Sequence, residues 1–244
     1  MIVDFHVEVG CSEYFDVCLA IKDVLENMKR FHISYTVVTP AYGSSYIYKF
    51  HDANLELYNI AKVHKNLLAL GTVNPWFRDG AVDEAMYIVR DLEFKGIKLI
   101  PYLQGFSINH RIVYPILENI AKHRVVVYIL SGYHPQSPLE IADTALTFPE
   151  LRFVMGFAGL TDFWMEVVPA MKRAENLYSD ISCQSNVRAL RRAIELLGSS
   201  RFIFATSSPY SSFPIEERKL SLLELSEYDR EGILYRNAKT LLGL

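Results

Sequence analysis

Short β-rich runs recur along the chain, beginning near Ile2, Ser34, Leu67, Gly96, Val125, Arg152, Asn176 and Arg201, and an amphipathic helical pattern follows each. The eight starts are spaced 24 to 33 residues apart. A strand that alternates with a helix pairs in parallel with the next strand through a right-handed crossover. A closed (β/α)8 barrel takes about 250 residues, and this chain has 244. The regularity predicts an α/β fold: one (β/α)8 TIM barrel, a single domain over residues 1–244.

The helical stripes agree with that architecture. After the first run Cys18, Ile21, Leu25 and Met28 recur at steps of three and four. After the third run the stripe is Val82, Ala85, Met86 and Val89, and after the seventh it is Leu190, Ala193, Ile194 and Leu197. Each is one apolar face of a 3.6-residue period, suited to the outside of a barrel. Runs such as Val125–Leu130 and Arg201–Ala205 are apolar on both faces, as expected of strands with helices on one side and a filled interior on the other. The segment Asp229–Leu242 predicts a closing helix.

The net charge of −3 and the lack of a basic stripe argue against a nucleic-acid partner. No apolar stretch approaches the roughly 18 residues of a membrane span, and no basic segment with an apolar core opens the chain as a signal peptide would. Three cysteines, Cys11, Cys18 and Cys183, are too few and odd in number for a disulfide framework. They predict buried or half-buried free thiols, a reducing compartment and a cytoplasmic protein.

In a (β/α)8 barrel, chemistry sits at the C-terminal ends of the strands. The first run reads Val3-Asp4-Phe5-His6-Val7-Glu8, apolar at odd positions and polar at even ones. Strict alternation places Asp4, His6 and Glu8 in one inward row. Lys98 shares the inward parity of Ile100 on the fourth run, and Asp180 points inward from the seventh. Two readings stand side by side. Lys98 is held by Asp4, Glu8 or Asp180 in a buried ion-pair network, since an isolated buried charge costs several kcal/mol. Or Lys98 anchors a carboxylate or phosphate, or His6 and Glu8 do acid–base chemistry without a metal.

The strand tips read Gly96-Ile97-Lys98-Leu99-Ile100-Pro101, Ile129-Leu130-Ser131-Gly132, Gly156-Phe157-Ala158-Gly159 and Phe204-Ala205-Thr206-Ser207-Ser208-Pro209, and the chain ends Asn237-Ala238-Lys239-Thr240-Leu241-Leu242-Gly243. In this order they resemble the amidohydrolase-related (amidohydrolase 2) family, the metal-dependent TIM barrels that include aminocarboxymuconate semialdehyde decarboxylase-like enzymes. The resemblance implies a metal-dependent hydrolase or decarboxylase fold. Its members carry D-x-H-x-H on strand one, G-x-K-L-H-P near strand four, H-x-G after strand five, G-H-x-G after strand six and F-G-T-D-x-P at strand eight. They hold a divalent metal, usually zinc, through the strand-one histidines, the strand-five histidine and the strand-eight aspartate.

Here His6 matches the first of these positions. Glu8 stands at the second histidine, Ile100 at the strand-four histidine, Leu130 at the strand-five histidine, Phe157 at the strand-six histidine and Ser207 at the aspartate. Zinc needs three protein donors and an open position. Leucine and phenylalanine have no donor atom, so the expectation is no metal cofactor, with zinc at His6 and Glu8 as the alternative.

Of the remaining histidines, His51, His110 and His134 are expected in loops on the same barrel face, as sources of a relocated metal site. His32, His64 and His123 are expected within or at the ends of outer helices, as structural or exposed residues. The aromatic loop Pro40–Phe50, with Tyr42, Tyr46 and Tyr48, suits a flexible lid hinged at Gly43 or a subunit contact in a homo-oligomer. A G-x-S-x-G elbow, a P-loop and a dinucleotide fingerprint are all missing.

Three functions fit. The first is an altered homologue, possible pseudoenzyme, that binds a small molecule in a pocket lined by Asp4, His6, Glu8, Lys98, Ile100, Leu130, Phe157, Asp180 and Ser207. The second is a hydrolase or lyase acting on a small carboxylated substrate through His6 and Glu8 or a relocated metal. The third is a non-catalytic subunit that works through oligomer contacts.

Overall fold

A computed structural model describes residues 1–244. The strands are β1 (Val3–Ser12), β2 (Val17–Leu19), β3 (Tyr35–Pro40), β4 (Leu67–Thr72), β5 (Gly96–Leu99), β6 (Val126–Leu130), β7 (Arg152–Gly156), β8 (Leu177–Asp180) and β9 (Phe202–Ile203). They form one sheet in the order β2-β1-β3-β4-β5-β6-β7-β8-β9, antiparallel at β1–β2 and parallel elsewhere. The segment that follows β9 returns to β1. Phe5 N donates to Phe204 O at 3.1 Å, Ser207 N to His6 O at 2.9 Å and Glu8 N to Ser208 O at 2.8 Å. Those bonds close the α/β barrel that the eight-fold spacing predicts.

Strand parity divides the core in two. On β6, Val127 and Ile129 join the layer beneath the helices, whereas Val126, Tyr128 and Leu130 fill the interior. Helices Ile21–Arg30, Phe50–Ala61, Asp79–Arg90, Pro138–Thr147, Val187–Leu197 and Phe213–Leu222 surround the sheet. The closing segment is helical from Glu227, passes through a π-turn at Gly232–Arg236 and resumes at Asn237–Leu242. Ala238 and Leu241 reach the interior core, and Arg152 donates to Leu241 O at 2.7 Å, so this helix plugs the end where the strands begin.

Two readings of the N-terminal region are corrected. Cys18 is not on a helix stripe, and Cys11 and Cys18 are not free or buried. β1 runs on past the barrel and folds back as a hairpin whose register sets Cys11 opposite Cys18, and the two form an exposed disulfide with 4.0 Å between Cα atoms. Cys183 is the one free thiol. A seven-residue spacing is ambiguous along the chain, but a hairpin turn makes it a cross-strand pair. The inference of a reducing compartment loses the support it took from free thiols.

The second correction concerns the β1 row. Asp4 pairs with Thr36 of β3 while Val7 pairs with Val38, so β1 carries one more residue than its partner over this span. A bulge re-aims side chains and breaks alternation. Val3 and Phe5 face the interior and Val7 the helix layer. Asp4 lies with Val7 on the helix side, away from His6 and Glu8.

Gly96 marks where β5 crosses closest to its neighbour. Its φ is +153°, and a Cβ there would stand 1.8 Å from Val126 O. Relief requires moving a backbone carbonyl within the barrel ladder. Gly96→Ala is expected to cost about 4 kcal/mol or more, since backbone strain of about 1–3 kcal/mol adds to overpacking of about 1–3 kcal/mol. Thermal unfolding followed by circular dichroism is expected to show a Tm lower by about 10 °C or more.

Candidate functional site

β5 delivers Lys98 into the barrel and β1, beyond its bulge, delivers His6 and Glu8. All three side chains are fully buried. The Lys98 ammonium donates to Glu8 Oε1 at 2.5 Å, to His6 Nε2 at 2.6 Å and to Thr39 Oγ1 at 3.4 Å, so each of its three protons has an acceptor. Around it stand three tyrosine rings, Tyr42, Tyr46 and Tyr128, with centroids 4.8, 5.6 and 5.8 Å from Nζ. Aromatic faces attract a desolvated cation, which makes a closed cage for the ammonium. Of the three carboxylates expected to hold Lys98, Glu8 does so; Asp4 and Asp180 do not.

The charges follow from this packing. Burial drives the Glu8 carboxyl up, but the Lys98 ammonium and His6 outweigh it and hold the group below the usual carboxylate range. Burial lowers Lys98, and the Glu8 charge opposes that fall. His6 is pushed below its ordinary value by burial first and by the neighbouring ammonium second. His6 is therefore neutral. Its Nε2 lone pair accepts from Lys98, so the ring proton sits on Nδ1 and is donated to Ser207 Oγ at 3.1 Å. A histidine that gives its proton to a serine cannot act as that serine's base.

The walls are aromatic and apolar. His6 stacks on Tyr128 with centroids 4.7 Å apart and lies 5.9 Å from Phe157. Ile100, Leu130 and Phe157 complete the interior core at their strand tips. Tyr128 fits because its ring reaches past its register partner Val154 to Gly156 of β7, where a Cβ would come within 2.4 Å of the phenolic oxygen. Its hydroxyl donates to Asp180 Oδ2 at 2.6 Å, and Ser182 N donates to Asp180 Oδ1 at 2.6 Å. Asp180 is thus inward, as expected, but committed to Tyr128.

The loop after β3 is a packed cap. Tyr42 and Tyr46 are buried, and the short helix Ser44–Ile47 is pinned by Glu13, which accepts from Ser44 N at 2.9 Å and Ser44 Oγ at 2.7 Å. Tyr42 stacks on Tyr210 with centroids 5.1 Å apart, and the Tyr210 hydroxyl donates to Glu8 Oε2 at 2.9 Å. Tyr128 and Tyr210 are not among the candidate site residues, and Tyr42 and Tyr46 were expected as part of a lid or a subunit contact. Strand parity with Leu130 was a signal for Tyr128; Tyr210 lies in a loop and carries none.

The three other histidines join nothing at this site. His51 lies within helix Phe50–Ala61, not a loop, and its Nδ1 is 2.7 Å from Glu84 Oε2. His110 accepts from Ile112 N at 3.2 Å, and His134 lies beside Phe163.

A sequence model of the family described as Amidohydrolase matches residues 50–244. The chain belongs to the amidohydrolase family. Among solved structures, 5-carboxyvanillate decarboxylase from Sphingomonas paucimobilis superposes with a TM-score of 0.81 at 14% identity, covering 100% of this chain and 99% of the other. The 2,6-dihydroxybenzoate decarboxylase from Rhizobium gives 0.78 at 16%, with 100% and 99% covered. The dihydroxybenzoic acid decarboxylase from Polaromonas sp. JS666, with bound manganese and the inhibitor 2-nitroresorcinol, gives 0.77 at 14%, with 100% and 97% covered. These identities establish a shared fold. A search of the curated proteins finds no match.

The donor set of this amidohydrolase-family barrel does not fit a divalent metal. No cluster of three His, Cys, Asp or Glu side chains has a metal-holding arrangement. His6 Nε2 and Glu8 Oε1 lie 3.4 Å apart and are both engaged by the same ammonium. The other positions at which the resemblance implies a metal ligand are Leu130 and Ser207, of which Ser207 alone has a donor atom, a neutral hydroxyl.

Breaking a buried ion pair from one side leaves an uncompensated charge. Lys98→Met is expected to cost about 3–5 kcal/mol in urea unfolding, and adding Glu8→Gln is expected to recover at least half of it. Equal losses in the single and double variants would contradict the pairing.

Asp4 behaves differently. Burial raises it from 3.8 to about 7, against the lowering effect of its bonds from Thr206. The fold thus keeps a proton that the unfolded chain releases. This contribution to stability is fully present below pH 4 and is lost as pH rises through 7. The stability of the natural chain relative to Asp4→Asn is expected to fall by about 4 kcal/mol between pH 4 and pH 8, at 1.36 kcal/mol per unit. A pH-independent difference in urea unfolding would contradict it.

Proposed function

We propose that this chain is a metal-independent amidohydrolase-fold protein that binds a small planar molecule at the strand tips, with hydrolysis and metal-assisted decarboxylation lost. The observation that carries the reading is the Lys98 ammonium, seated 2.6 Å from His6 Nε2 and 2.5 Å from Glu8 Oε1. An ammonium there supplies positive charge but has no open coordination position. It cannot lower the pKa of a bound water or polarise a carbonyl as a metal does. The carboxylate stays ionised between Lys98 and Tyr210, and the neutral histidine gives its one basic lone pair to Lys98.

The choice of ligand rests on the cap. Tyr42, Tyr210 and Phe157 offer flat apolar faces over a polar floor, and a planar ring sliding under Tyr42 and Tyr210 would replace their mutual stacking. Structural relatives hold planar ligands, 2,6-dihydroxybenzoate in one decarboxylase and 2-nitroresorcinol in another. Binding requires the cap to part, because His6, Glu8, Lys98 and Ser207 are fully buried.

The test is elemental analysis of the purified chain with a binding assay. Zinc and manganese are expected well below one equivalent, and one added equivalent of Mn²⁺ is expected to leave Tm unchanged. Calorimetric titration with 2,6-dihydroxybenzoate is expected to show saturable binding without release of CO2. Near-stoichiometric metal that is lost in His6→Ala would sink the reading.

A further inference from the structure

The bulge that turns Asp4 away from the barrel interior sets it at the end of a separate cavity. This cavity, about 200 Å3, lies between β1 and the helices Ile21–Arg30 and Phe213–Leu222. We propose that it is a second binding site, for a small molecule with an apolar body and a hydrogen-bond-donating head, either a hydroxyl or a primary amine. The site lies behind β1, and the proposal holds whether or not the barrel mouth binds anything.

Three features of the polar end support it. Asp4 is 2% exposed, and its two carboxyl oxygens each accept one bond, from Thr206 N and Thr206 Oγ1, both at 2.7 Å. Once ionised, above the pH of about 7 to which burial raises it, this carboxylate has about four acceptor positions, of which Thr206 uses two. No lysine, arginine or histidine pairs with it. The third feature is Thr36, fully buried on β3 and lining the same cavity, whose hydroxyl has no hydrogen-bond partner. A buried polar atom without a partner costs about 1–3 kcal/mol. An under-used acceptor and an unpaired hydroxyl face one cavity, and a hydroxyl or amine head between them would donate to Asp4 and bond the Thr36 hydroxyl.

The remaining walls set the body of the ligand. Val24 and Met28 line one side, and Phe31 and Phe213, stacked with centroids 4.6 Å apart, close another. An engineered apolar cavity of about 150 Å3 holds benzene. The volume here suits a benzene-sized ring plus a short polar arm. Arg30 stands at the rim with its guanidinium 5.1 Å from the Phe31 ring centroid. A neutral hydroxyl and a protonated amine would feel that rim charge differently, while both satisfy Asp4 and Thr36.

The test uses the whole chain and four probes of one shape: benzyl alcohol, benzylamine, toluene and benzoate, titrated by backbone amide NMR. Saturable shifts at β1 and helix Ile21–Arg30 are expected for benzyl alcohol or benzylamine, at least tenfold tighter than for toluene. The tighter of the two identifies the head as neutral or charged. Thr36→Val keeps the shape and removes the hydroxyl, and is expected to weaken binding fivefold or more with an unchanged circular dichroism spectrum. Val24→Phe fills the cavity and is expected to abolish binding; if that variant does not fold, the isosteric Thr36→Val decides. The proposal is overturned if toluene binds as tightly as the tighter of the two probes, if benzoate binds tighter than both, if nothing binds saturably, or if Thr36→Val leaves binding unchanged.

Discussion

One extra residue in β1 governs how polar groups are distributed in this barrel. Between Asp4 and Val7 the strand gains a residue over β3, and the alternation of side chains shifts by one position. Upstream of the shift, Val3 and Phe5 face the interior and Asp4 the helices. Downstream, His6 and Glu8 face the interior and Val7 the helices. Without the bulge, a carboxyl would be added to or removed from the interior, and the charge balance around Lys98 would change. The same shift leaves Asp4 behind the barrel with Thr206 as its one hydrogen-bonding partner side chain.

Inside the barrel the consequence is a neutral, saturated cluster. One ammonium, one carboxylate and one uncharged imidazole share short bonds, and each ammonium proton is used. A buried pair of this kind is tolerated because the geometry repays desolvation, and three tyrosine faces add to the repayment. A cluster with every donor satisfied is structurally committed. It specifies how β1, β3 and β5 lie against one another, and it leaves little for a substrate to engage until the tyrosine cap moves. The family's amidohydrolase scaffold is retained around it: strand tips, closing helix and barrel closure are all present.

Much of the fold could be read from the chain because it rests on repetition. Eight runs at near-constant spacing, stripes at 3.6 residues and two-faced apolar strands each restate the same barrel, so errors at one element do not spread. The hairpin at Cys11–Cys18 escaped that reading because it breaks the repeat: β1 continues past the barrel and turns back at Glu13–Asp16. The part of the cap made with Tyr210 escaped for a related reason. Tyr42 and Tyr210 come from loops after different strands, and their stacking depends on how the ends of a closed barrel meet.

The sequence by itself determined the barrel, the inward position of Lys98, and the lack of a donor atom on the Leu130 and Phe157 side chains. These follow from periodicity and from side-chain chemistry, which need no coordinates. Tertiary structure alone decided which acid holds Lys98, which nitrogen of His6 carries the proton, and on which side of the wall Asp4 lies. A bulge leaves no mark in an alternating pattern, since Val3-Asp4-Phe5-His6-Val7-Glu8 reads the same with or without it. It shows itself when β1 is laid against Thr36 and Val38 and the registers fail to agree.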